Sequence, residues 1–212
     1  MPTIEAGLSI TKEFIAIGKE LANLPSLVLP QYQPAAADLY AICQKILTAN
    51  ENTARWFHRF RYFDFQSPNA RSSFLTAVQE YRALRSGAGF KQLKFSCGDI
   101  SQIYYKNISS KLSNWFVTTH KQEQAQGVFE KLTDADNVMV DFIQEQILKK
   151  LDDFLQDVES EVDRSNMNEA EKLRLEFKSV TKEVVKYLED FSDDLSELVL
   201  RFANIAKIPV TL

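Results

Sequence analysis

From Thr133 to Lys207 the chain contains neither glycine nor proline. These are the two residues that most readily end a helix, so so long a run without them restricts what this part can become. Within it, Val140, Ile143, Ile147, Leu151, Phe154, Val158 and Val162 follow one another at steps of three and four. Leu173, Phe177, Val180, Val184, Tyr187, Phe191, Leu195, Leu198, Phe202 and Ile205 do the same. That spacing keeps apolar side chains on one face of a helix. The polar stretch DRSNMNE between the two series reads as a turn with capping residues. Two long helices joined by a short turn lie antiparallel, so the spacing predicts a helical hairpin of coiled-coil type.

The remaining chain carries the same signal with more punctuation. Ile10, Phe14, Ile17, Leu21 and Leu24, widened by Ile4, Leu8 and Ile15, predict an amphipathic helix over residues 3–23. Pro25, Pro30 and Pro34 then force an extended connector. A second helix is expected from Pro34 to Phe65, with Leu39, Ile42, Cys43, Ile46 and Leu47 facing inward. The polar TANENTA within it leaves open whether the chain bends or passes straight. Ser67 and Pro68 form a start signal for a helix carrying Phe74, Leu75, Val78, Tyr81 and Leu84, which ends at Gly87. GAGFKQLKFSCGD reads as loop, and Asp99 caps a helix reaching Trp115 or Phe116. A short helix over VFEKL precedes Thr133. The expected fold is all-α: an elongated helical bundle of about five to seven helices ending in the long antiparallel hairpin. It forms one domain over residues 1–212, with a subdivision into an N-terminal bundle (1–117) and the hairpin (133–207).

Sparse chemistry accompanies this layout. His58 and His120 are isolated, and Cys43 and Cys97 form no metal-binding pattern with them. No glutamate precedes a histidine by three positions, so the di-metal motif of helical bundles is missing. SGAG lacks the Gly-Lys-Ser/Thr of a phosphate loop. The many carboxylates of LDDFLQDVESEVD and LEDFSDDLSE fall between apolar positions, as solvated helix faces do. Catalytic, cofactor and metal residues are therefore expected to be none, and an enzyme is not expected. The two cysteines read as buried thiols in a reducing compartment, with a disulfide between them the open alternative. The N-terminal stretch is interrupted by Glu5, Lys12, Glu13, Lys19 and Glu20, which fits neither a secretory signal nor a membrane span. A cytoplasmic location is expected.

One segment resists so plain a reading. RWFHRFRYFDF, residues 55–65, places six aromatic rings among Arg55, Arg59, Arg61 and His58. On a helix, Trp56, Phe60 and Phe63 share a face beside Phe57, while Arg55, Arg59 and Tyr62 share the adjacent one. Burying the first four rings contributes roughly 2 kcal/mol each, so they belong to the core. Arg55, Arg59, Arg61 and Tyr62 are then the candidate contacts for a partner or an anion. The net charge of −4 conceals a basic excess in the first half and an acidic one in the second. It disfavours nucleic acid as the partner, because the acidic half repels phosphate. The expected function is a non-catalytic helical protein-interaction or regulatory module, whose partner is another protein or a second copy. The alternative is a membrane-engaging effector that releases its amphipathic N-terminal helix. A weaker third reading is binding of an anionic nucleic acid through residues 55–65.

Overall fold

Helix α1 (Gln33–Arg61) begins with Pro34, whose fixed φ suits a first turn. Ala36, Leu39, Cys43 and Ile46 are buried along its inner side. TANENTA continues the helix without a break, and several of its polar side chains bond within the fold. Buried Asn50 donates from Nδ2 to Leu188 O at 2.6 Å and to Ser192 Oγ at 2.8 Å, and Thr53 Oγ1 donates to Ala49 O at 2.9 Å. In the computed structural model, residues 33–86 and 147–209 are described, together with 12, 15, 16, 18, 19, 22 and 23, apart from the side chains of 35 and 42. The expected loop and helices between residues 87 and 132, the stripe positions Val140 and Ile143, Cys97 and His120 lie outside the described residues.

α1 stops at Arg61, four residues before the expected end. Tyr62 N–H still reaches His58 O, but Phe63 N–H falls back to Phe60 O, three residues away, and the turn of the helix tightens and closes. The chain then folds over so that Phe65 returns to the core. Ser67 and Pro68 lie in the turn that leads to α2 (Ala70–Ser86), where Ser67 O accepts from Ala70 N–H at 3.0 Å. Phe74, Val78 and Tyr81 of α2 are buried, whereas Leu84 is exposed.

Three helices form the C-terminal part: α3 (Lys149–Asp163), α4 (Met167–Val180) and α5 (Lys182–Ala206). α3 and α4 make the predicted hairpin. Its turn is closed by Asn166 N–H to Glu161 O and Ser165 N–H to Val162 O, with Ser165 at φ 61°. That is a Schellman closure with serine in the place usually held by glycine. α5 ends in the same way, with Lys207 at φ 58° and Ile208 N–H on Ala203 O.

The second arm of the hairpin is not one rod. Thr181 (φ −101°, ψ 6°) separates α4 from α5, and its buried hydroxyl donates to Phe177 O at 2.6 Å. A threonine hydroxyl bonded to the carbonyl four residues earlier is a known cause of helix bending. Next to the junction the buried stripe is displaced by one position, and from Phe191 through Leu195, Leu198 and Phe202 it is buried as expected. Thr181, Val185 and Leu188 are buried, while Val180, placed in the stripe by sequence spacing, is 67% exposed. Beyond the junction α5 packs along α1 rather than along α3, and α3 packs against α4 and α2. α2 and α3 run antiparallel: Arg71 faces Asp163, and Arg82 grips Glu159 at 2.7 Å. Tyr81 and Arg85 both hold Asp152.

The described residues between positions 12 and 22 are helical, as expected. They rest on α5 at Gly18, where an added Cβ would lie 2.6 Å from Leu198 Cδ1. Lys19 reaches Asp194 at 2.6 Å and Glu197 at 3.1 Å, and Arg201 reaches Asn23 at 2.8 Å. Among the described residues no helix is long and apolar enough to cross a membrane.

Candidate functional site

The aromatic segment divides at the end of α1. Phe57 and Phe60 are fully buried, and half-buried Trp56 and Phe63 pack against the same core. Phe57 stacks on Phe177 at 5.7 Å, and Phe177 in turn stacks on Phe154 at 4.1 Å, which joins α1, α4 and α3. Phe60 meets Phe74 and Tyr81 edge-on at 6.0 and 6.1 Å, which adds α2. Off-centre and edge-to-face geometries of this kind add to the gain from burial. The inner rings are thus where four helices meet.

Tyr62 is the exception, with 60% of its surface exposed. It is the first residue past α1 and stands where the C-terminal ends of α1 and α4 come together. Lys178 Nζ lies 4.2 Å from its ring centroid, Arg61 Cζ lies 5.8 Å away, and the His58 ring stacks at 6.1 Å. Cations at these distances are attracted by the ring face.

Two arginines hold this corner together. Arg61 Nη2 donates to Lys178 O at 3.2 Å, and Arg174 Nη1 donates to Arg61 O at 2.5 Å. Each helix thus lends a guanidinium to the free carbonyls at the other's C-terminal end, where the helix dipole favours positive charge. Arg174 also forks onto Glu171 at 2.6 and 2.8 Å. That bond holds Glu171 below the usual carboxylate range and pushes Arg174 above its own usual value.

The four expected contact residues meet different fates. Arg55 is exposed on the same face as Tyr62, two turns earlier. Arg59 is drawn away: it bonds Glu80 at 2.6 Å and lies 5.0 Å over the Trp56 ring. Arg61 does not reach outward. It is only 6% exposed, and its Nε makes no hydrogen bond. Tyr62 is exposed, and Lys178 joins it from a helix more than a hundred residues away in sequence. Spacing within residues 55–65 carries no signal for Lys178, because only the docking of α4 brings it there.

Other chemistry-bearing groups stay apart. Cys43 is a free, fully buried thiol, which burial pushes up to about 12. Its helix partner His58, fifteen residues along and so about 22 Å away, bonds Glu189 at 2.9 Å. Among the described residues no group of three His, Cys, Asp or Glu side chains is placed to hold a metal ion. A groove of about 340 Å³ runs between Ile15 and the Tyr187–Phe191 pair, with Lys12 and Lys186 set against Glu183, Asp190 and Asp194. Comparison of the chain with protein-family models, curated proteins and solved structures gives no match.

Proposed function

We propose that this chain is a non-catalytic helical protein-interaction module that meets its partner at the Tyr62 corner. One observation carries the reading: of six rings in residues 55–65, Tyr62 alone is exposed, and it stands between two cations. Tyrosine and arginine are the side chains most enriched where proteins touch, since a rigid ring offers large area at little entropic cost. The buried rings fix the end of α1, so the corner is held in place before contact. Such preorganisation reduces the cost of binding.

A photo-crosslinking side chain tests this. With p-benzoylphenylalanine in place of Tyr62, a discrete protein adduct is expected in extract of the native host, and a second copy of the chain would show as a dimer. The same group in place of exposed Gln79 on α2 serves as control. Adducts from both positions alike, or from neither, contradict the reading.

A further inference from the structure

We infer that the ligand of the Tyr62 corner is an acidic segment of a partner protein that also presents an apolar side chain. This rests on the corner being a contact surface, and it adds the chemistry of what is bound. Several exposed cations among the described residues are matched within the fold, while Arg55, Lys150 and Lys186 stand singly without an ion pair. Arg59 has Glu80, Arg82 has Glu159, Lys172 has Glu169, and Arg201 has Glu197. The corner differs in that two cations without an ion pair gather on one ring. Among the described residues Lys178 makes no ion pair, and neither does Arg61 nor Lys182 one turn further on.

Arg61 is the most telling of these. A charge removed from water needs a counter-charge or a full set of hydrogen bonds. Arg61 has one hydrogen bond, at 3.2 Å to a carbonyl, and an orphaned Nε. Lys178 lies close beside it, held on the ring of Tyr62. Two like charges gathered on one ring concentrate positive charge at that point of the corner. An incoming carboxylate supplies the missing counter-charge.

The apolar part of the ligand follows from the surroundings. Leu175 is 52% exposed and lies one turn before Lys178 on the same side of α4. With the Tyr62 ring it offers greasy surface beside the cations. A nucleic-acid strand fits less well. Its continuous line of phosphates would run onto Asp64, Glu171 and Glu189, which flank the corner, whereas a short segment with a few carboxylates need not.

Fluorescence anisotropy of a labelled, glutamate-rich peptide with a central leucine, titrated with the full chain, tests the inference. Binding is expected that weakens about tenfold in Lys178→Glu and falls as salt is raised. Tyr62→Ala is expected to weaken it as well, and Lys150→Glu, at an exposed cation on α3, to leave it unchanged. Equal loss in Lys150→Glu, or no binding by the unaltered chain, overturns the inference. So does tighter binding of a single-stranded thymidine oligonucleotide that Lys178→Glu also weakens. If the crosslinker at position 62 captures a protein while the peptide does not bind, the acidic ligand is wrong and the contact surface stands. If both fail, both are wrong.

Discussion

Asn50 sits in a seam otherwise filled by Ile46, Leu188 and Phe57, with 3% of its surface exposed. Its two hydrogen bonds to α5 fix which turn of α1 faces which turn of α5, as a lone buried asparagine does between paired helices. Removing it leaves the Ser192 hydroxyl and a lone pair of Leu188 O without their partner in a buried place. Asn50→Ala is therefore expected to lower the unfolding free energy in urea by about 1–2 kcal/mol. A neutral result would show that these bonds contribute nothing. In sequence, Asn50 is one of several polar residues in TANENTA, and nothing local separates it from exposed Asn52. Burial of Phe57 and Phe60 was legible because ring and spacing point the same way. Burial of Arg61 was not, because its partners belong to α4.

At the scale of the helix, periodicity identified the described elements well and their ends less well. The end of α1 at Arg61 is met by a cross-helix hydrogen bond from Arg174 that no capping signal in residues 55–65 announces. The junction at Thr181 looks in sequence like an ordinary position beside an apolar stripe. There, a side-chain hydrogen bond accompanies a local change of phase that is over by Phe191. The turn between α3 and α4 offers a direct test of helix closure. Ser165 holds a left-handed conformation that costs a residue with a Cβ roughly 1 kcal/mol, and this site is exposed. Ser165→Gly is expected to raise stability by about 0.5–1 kcal/mol, read as a higher urea midpoint at unchanged slope. A lower midpoint would mean that the added freedom of the unfolded chain outweighs the relieved strain.

For the molecule as a whole, a single segment of α1 carries both the core and the contact surface. Phe57 and Phe60 draw α2, α3 and α4 together, and the same helix turn delivers Tyr62 to the outside. The all-helical architecture was visible in the spacing of apolar residues and the scarcity of glycine and proline. Which helices pair was not, since α5 could have followed α3 along the whole hairpin and instead lies on α1. The division of labour within residues 55–65 is what the account depends on. Equilibrium urea unfolding of Phe60→Ala beside Tyr62→Ala measures it most directly. A loss of about 3–5 kcal/mol is expected for Phe60→Ala, and less than about 1 kcal/mol for Tyr62→Ala. Similar losses for the two, or a larger one for Tyr62→Ala, would contradict it.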